Sequence, residues 1–341
     1  MKISFLVTYY NQEKFVEQSI ESILAIKKPC DWEIIVGDDG STDGTISIVN
    51  DYIKRYPSKI KLYIMPREPK KKYDSVKRAS ANRLNILEKS TGDIYCTLDG
   101  DDYFCDTTFV SDAIEIFTKD KNISIVAFGF KYVMNDISGK EFVLPNSMEN
   151  SPVDKQTFLR NYYLHTGSFV HRKCFNCNRI EFIKKLGYFD DNNIVINSLN
   201  FGEMFAVNRV IYAYRQTGQS IYTSMNELEQ AILNVQGMDV DLKLIDDCYG
   251  ESIIQRYATA IILMFIWKKN IKEILGEEKF RKYEEGCLDL KPSYCYNLLR
   301  YDELSTTEMK TLKNNIKYIV RHNCKFTFRQ FLKYFLWKMS K

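Results

Sequence analysis

Two runs of carboxylates, each standing at the end of an apolar segment, are the residues of this chain whose types and spacing could do chemistry. Trp32 to Gly37 leads into Asp38-Asp39-Gly40-Ser41-Thr42-Asp43, and Ile94 to Leu98 leads into Asp99-Gly100-Asp101-Asp102. Asp, Gly and Ser are ordinary turn and cap residues, so the first run alone reads as a turn. The second places three carboxylates in four positions, and their repulsion is unfavourable unless a cation or a set of donors compensates it. Hard cations take oxygen ligands, and Mg²⁺ is commonly held by one or two carboxylates together with substrate phosphates. A carboxylate rim that handles a phosphorylated ligand is the chemistry these residues suit.

The elements that must position them alternate. Lys2 to Val7 is an apolar, β-rich segment ending in Thr8-Tyr9-Tyr10-Asn11, and a helical pattern follows with Phe15, Val16, Ile20, Ile23 and Leu24 on one face. Trp32 to Gly37 reads as a second strand, after which Asp43 is placed to cap a helix carrying Ile46, Ile48, Val49, Tyr52 and Ile53. Ile60 to Met65 is a third strand. A basic stretch from Arg67 to Lys72 precedes a helix from about Val76 to Lys89, and Thr91-Gly92 leads into the strand Ile94 to Leu98. The order βαβαβαβ predicts an α/β fold with a mostly parallel sheet covered by helices. Such sheets bind ligands beyond the carboxyl ends of their strands, which would bring both acidic runs to one rim.

These blocks, in this order and spacing, resemble the family 2 glycosyltransferases. The residues that carry the resemblance are Ser4-Phe5-Leu6-Val7-Thr8-Tyr9-Tyr10-Asn11, the block from Glu33 to Asp43, Arg83 nine residues before Gly92-Asp93, and Leu98-Asp99-Gly100-Asp101-Asp102. The resemblance is strong over roughly the first 110 residues, weaker to about Ser224, and not evident beyond. It implies a Rossmann-like GT-A fold and inverting transfer from a nucleotide-sugar donor, a UDP-hexose or UDP-N-acetylhexosamine, to a glycan or lipid-linked acceptor in bacterial surface-polysaccharide assembly. It further implies that Thr8, Tyr10, Asn11, Asp38, Asp39, Arg83, Asp99 and Gly100 line the donor site, with Asp39 accepting a hydrogen bond from uracil. Asp101 would ligate Mg²⁺ or Mn²⁺. Asp99 would meet the ribose or reach the cation through a water, and Asp102 would support the cation or contact a sugar on the acceptor side. Arg83 either orients the carboxylates and the donor or forms a salt bridge on a helix surface.

Inversion needs a base for the acceptor hydroxyl, and the resemblance points to an Asp or Glu before a helix of the second half. Gly187-Tyr188-Phe189-Asp190-Asp191-Asn192 is the candidate segment, followed by a helical stretch ending near Phe201-Gly202. Asn208 to Arg215 and Gly218-Gln219-Ser220 then look like the family's closing strand and Tyr-Arg loop. Asp191 is preferred over Asp190 because it lies closer to the helix start, and an N-cap role is the alternative for either. His165 and His171 flank Thr166 to Val170 on the acceptor side, where His165 either binds a sugar hydroxyl or serves the structure.

Composition frames this reading. The 341 residues are 45% hydrophobic and 27% charged, which suits a chain with a large core. Residues 1–224 are expected to form the catalytic domain, with the donor held by 1–110 and the acceptor side in 111–224, and 225–341 to form a helical C-terminal module. The net charge of +4 does not suggest nucleic acid. Ala258 to Trp267 is too short to span a membrane and reads as a buried core helix. Nine scattered cysteines, no second pair to complement Cys174-x-x-Cys177, and no signal peptide at the start favour a reducing cytoplasm over a disulfide framework or a zinc site. Lys325 to Lys341 interleaves Phe328, Phe331, Leu332, Tyr334, Phe335, Leu336 and Trp337 with basic residues and no acid. It reads as an interfacial helix for peripheral contact with the inner face of the cell membrane, as a packing helix, or as a means of homo-oligomerisation. A nucleotidyltransferase of similar topology would carry a Gly-rich basic loop where this chain has Thr8-Tyr9-Tyr10-Asn11, and intact carboxylates argue against a non-catalytic scaffold.

Overall fold

Each apolar run of the first hundred residues is a strand of one sheet. β1 (Lys2–Tyr9), β2 (Asp31–Asp38), β3 (Ile60–Ile64) and β4 (Ile94–Asp99) alternate with α1 (Val16–Ala25), α2 (Thr45–Arg55) and α3 (Ser75–Lys89). The computed structural model describes residues 1–68, 73–174, 177–187, 189–217, 222, 224–291 and 293–322. Lys70 to Lys72, Tyr188, Gly218-Gln219-Ser220 and the basic aromatic run from Lys325 to Lys341 therefore lie outside the described residues. β1 pairs in parallel with β2 on one side and β4 on the other, and β2 pairs in parallel with β3. Ile3, Phe5, Leu6 and Val7 of the central β1 are buried, and removing each such side chain from water contributes about 1.5–3 kcal/mol.

The sheet continues through the second half. β5 (Tyr103–Phe104), α4 (Phe109–Lys119), β6 (Ile123–Met134), β7 (Ile137–Phe142), β8 (Ser151–Val153), α5 (Lys155–Asn161), β9 (Phe169–Arg172), α6 (Cys177–Leu186), α7 (Asp191–Leu199) and β10 (Glu203–Arg215) follow in order. The strand order is β3-β2-β1-β4-β9-β6-β10-β5, with β7 on β6 and β8 on β10. The α/β expectation holds, and the sheet is mixed. β9 runs antiparallel between β4 and β6, while β5, β7 and β8 add antiparallel pairs.

Two local details set the rim. Asp38 and Asp99 are the last residues of β2 and β4, so both acidic runs begin at the same edge of the sheet. Asp43, expected to cap α2, gives that position to Gly44. Its carboxylate instead accepts from the Thr45 N–H at 3.0 Å and the Glu13 N–H at 3.1 Å, tying the loop after β1 to the loop after β2. At the opposite edge the buried Glu33 accepts from Lys2 Nζ (2.8 Å), Ser4 Oγ (2.7 Å) and the Thr91 N–H (2.6 Å).

The chain divides into two compact units, Met1–Phe158 with Tyr162–Ile221, and Leu159–Asn161 with the chain from Tyr222 onward. The second is helical: α8 (Glu227–Leu244), α9 (Gly250–Arg256), α10 (Ala258–Trp267), α11 (Ile271–Leu275), α12 (Glu277–Gly286), α13 (Tyr294–Leu299) and α14 (Thr306–His322). α10 is the apolar decamer singled out in the sequence, and it packs against α8, α13 and α14. Among the described residues no helix is long and apolar enough to cross a membrane.

Candidate active site

The loop after β1 is shaped by Asn11, which takes a left-handed φ of 51°, a conformation Asn adopts more readily than most residues. Its N–H donates to Ser41 Oγ at 2.9 Å and its Oδ1 accepts from the Thr42 N–H at 2.8 Å. Asn11 thus laces two loops together. The fully buried carboxylate of Asp38 accepts from the Ser41 N–H (2.7 Å) and Ser41 Oγ (2.6 Å), so it builds the turn. Asp39 is the residue the turn presents. Arg78 Nε donates to its Oδ1 at 2.5 Å, Arg67 pairs with its Oδ2, and Arg67 Nε donates to its carbonyl at 2.6 Å. Arg67 lies 4.0 Å over the ring of the exposed Tyr10, and Arg78 lies 4.8 Å over that of Tyr73. Arg67, Arg78 and Tyr73 were not picked out from sequence. The signal was an arginine opening the basic stretch and another in the helix that follows it.

A second cluster forms around Arg83 of α3. One guanidinium nitrogen, Nη2, lies 3.2 Å from Asp99 Oδ1 at the end of β4 and 3.1 Å from Asp191 Oδ1 at the start of α7. Thr8 Oγ1 also donates to Asp99 Oδ1, at 3.2 Å. Burial opposes charge on Asp99, but Arg83, His165 and the Thr8 hydroxyl outweigh it and hold the carboxyl below its usual range. Asp190 and Asp191 separate cleanly. Asp190 is the N-cap of α7, its carboxylate accepting from the Asn193 N–H at 3.1 Å while Asn193 Oδ1 accepts from the Asp190 N–H at 2.9 Å. Asp191 is the next residue, and its carboxylate is the one that reaches Arg83.

His165 joins this cluster. Each of Asp99, His165 and Asp191 offers one ligand atom, and the three atoms lie within 4.8 Å of one another. The imidazole is buried and stacked between Tyr212 (4.7 Å) and Tyr214 (4.5 Å). Burial lowers its pKa, and Nδ1 accepts from the Gly167 N–H at 3.3 Å, so the neutral ring carries its proton on Nε2. Gly167 must be glycine, since a Cβ there would sit 1.9 Å from the Tyr212 ring. His171, by contrast, is fully buried, stacks on Tyr95 and meets Ser198 Oγ at 3.0 Å, a structural position.

The loop from Asp99 to Asp102 divides its carboxylates. Gly100 lets the backbone pass Tyr9, because a Cβ would lie 2.1 Å from that ring, and its N–H donates to the Thr8 carbonyl at 3.0 Å. Asp102 turns inward. It is fully buried, with Oδ2 accepting from the Tyr212 hydroxyl and Oδ1 from the Arg215 N–H, both at 2.7 Å. It anchors the loop to β10. Arg215 completes the anchor, donating to the Asp101 carbonyl and to Gln18 Oε1. Asp101 is left half-buried at the rim, and burial together with nearby Asp99 pushes its carboxyl up to about 6.

A βα-alternating sheet in which the strands on either side of the first end in carboxylates at one rim, with an aspartate at the start of a later helix beside them, is the architecture of nucleotide-sugar transferases with a GT-A fold. The chain belongs to Glycosyl transferase family 2, whose sequence model matches residues 4–179, more than half its length. The fold is shared with the solved structure of residues 1-349 of TarS from S. aureus in complex with UDP-GlcNAc, with a TM-score of 0.59 and 17% identity over 94% of this chain and 92% of that one. Among curated proteins, EpsE of Bacillus subtilis, a candidate glycosyltransferase, is 38% identical over 101 residues, 30% of this chain and 33% of EpsE. The poly(ribitol-phosphate) beta-glucosyltransferase of Bacillus spizizenii is 29% identical over 104 residues, 30% of this chain and 15% of that protein. The matches span a third or less of either relative's own length.

Proposed function

We propose that the protein catalyses inverting transfer of a sugar from a UDP-hexose or UDP-N-acetylhexosamine to a glycan or lipid-linked acceptor in surface-polysaccharide assembly, with a divalent cation. The observation that carries this reading is Arg83, which couples the carboxylate ending β4 to the carboxylate opening α7 through one nitrogen. Donor rim and candidate base belong to one cluster. The reading draws further support from TarS, solved with UDP-GlcNAc on the same fold, and from the similarity to the poly(ribitol-phosphate) beta-glucosyltransferase.

The donor set fits a hard cation. Arg83 already balances Asp99 and Asp191, whereas the Asp101 carboxyl, raised first by burial and then by nearby Asp99, is one whose charged form a bound cation would favour. Asp101 would hold Mg²⁺ or Mn²⁺, with Asp99 behind it through a water. When bound, the cation supplies charge stabilisation for the departing diphosphate. In this reading Asp39 meets the uracil, exchanging part of its clamp with Arg67 and Arg78 for the base. Thr8, Tyr10 and Asn11 shape the wall beside it. Asp191 accepts the proton of the acceptor hydroxyl as that oxygen attacks the anomeric carbon from the face opposite the diphosphate. Arg83 orients both carboxylates, and His165 offers Nε2–H to a sugar hydroxyl.

A panel of UDP-sugars incubated with the purified protein and Mg²⁺ or Mn²⁺ tests this. Release of UDP from at least one donor, abolished by a chelator, is expected. Release from none, or release indifferent to the chelator, would overturn it.

A further inference from the structure

Helix α14 buries Leu312, Ile316 and Ile319 and exposes its other side. Lys310, Lys313, Lys317 and Arg321 stand at i, i+3, i+7 and i+11, a spacing that keeps residues on one helix face. With 3.6 residues per turn they fall within an arc of roughly 80°, centred about 130° from the buried three, and form a straight stripe about 16 Å long. The helix has one acidic residue, Glu308 in its first turn, and it lies off the stripe. Some other cations of this unit are paired, Lys279 with Glu229 and Arg300 with Glu284 and Glu303. Among the described residues none of the four on the stripe has an ion-pair partner.

Solvated helix faces ordinarily interleave both signs, since unmixed cations repel one another. An anionic surface facing the four would relieve that repulsion. The stripe is straight and flanked by the exposed Val320 and Tyr318, which suits an extended, interfacial partner. The sequence beyond His322 continues the same chemistry, with Lys325, Arg329, Lys333, Lys338 and Lys341 among Phe, Tyr, Leu and Trp and no acid. Basic residues beside bulky apolar ones are the composition that binds anionic bilayers.

We propose that the exposed basic face of α14 docks this protein on an anionic lipid bilayer. The inference is independent of the catalytic reading. Docking would hold a lipid-linked substrate and the enzyme at one surface.

Co-sedimentation of the full chain with vesicles of one part phosphatidylglycerol to two parts phosphatidylcholine tests it, with phosphatidylcholine vesicles as the comparison. Binding to the anionic vesicles alone is expected, weakening as salt is raised. Replacing Lys310, Lys313, Lys317 and Arg321 together by Gln should lower the affinity by roughly fivefold per charge removed, several hundredfold in all. Replacing the three lysines by Arg should leave it unchanged. A second measurement needs no substitution: amide hydrogen exchange of α14 in the wild-type chain should slow on anionic vesicles and not on neutral ones. Equal binding to both vesicles, undiminished binding of the Gln variant, unaltered exchange of α14, or self-association without vesicle binding would each overturn the proposal.

Discussion

At the first turn of α7, neighbouring aspartates take different roles because a helix start offers different positions. The Asp190 carboxylate is occupied by the Asn193 N–H, whereas Asp191 points its carboxylate at Arg83. Asp191→Asn is therefore expected to remove transfer while leaving donor binding intact, since a base contributes mainly in the transition state. Asp190→Ala should retain transfer and lose about 1 kcal/mol of stability, the usual worth of an N-cap. Calorimetric donor titration and thermal unfolding of both variants check this, and loss of transfer in the Asp190 variant alone would move the base by one residue. Asp101→Asn should abolish cation-dependent turnover with the melting temperature nearly unchanged, because the side chain is at the rim and no core volume is lost. Asp39→Ala should weaken UDP binding even in a chelator, as its assigned partner is the uracil and not the diphosphate; unchanged affinity would contradict that role. The capping pair was half-legible, because Asn193 stands three residues after Asp190 where Glu or Gln is the commoner partner. The double arginine clamp on Asp39 was not, since Arg67 and Arg78 reach it from a loop and a helix whose approach no local pattern encodes.

Elements explain why the carboxylates meet. β1 lies between β2 and β4, and its end residues are in register with both acids, Thr8 opposite Asp99 and Tyr9 opposite Asp38. The alternating apolar runs made β1 to β4 legible to within a residue or two. β9 was not, because its four residues carry too short a pattern and its place between β4 and β6 is decided by long-range pairing. At the other edge, Glu33 fastens β1, β2 and the turn before β4. Burial opposes its charge, and Lys2, Thr91 and Ser4 overcome it, lowering the carboxyl from 4.5 to about 2. A depressed folded-state pKa contributes stability that is fully present above the unfolded value and lost as pH falls toward the folded one. The melting temperature of the wild type should accordingly exceed that of Glu33→Gln near neutrality, with the gap closing between about pH 4.5 and 2. A gap that is constant across that window would remove Glu33 from the acid response.

At the scale of the whole molecule, a sheet unit with the candidate site is joined to a helical unit that carries a cationic stripe. The sequence signalled the two units through the change from α/β alternation to helical periodicity after residue 224, and the proposed docking of the helical unit would suit an acceptor held at a surface. What could not be read was the sugar, the acceptor and the linkage, since these depend on pocket shape contributed by distant segments. Inversion is the central claim, because it ties the donor rim, the departing diphosphate and Asp191 into one displacement. Time-resolved proton NMR of the sugar released when the protein hydrolyses an α-linked UDP-sugar in the presence of Mg²⁺ tests it most directly. The account predicts that the β-anomer appears first and the α-anomer grows in later by mutarotation; initial release of the α-anomer would contradict it.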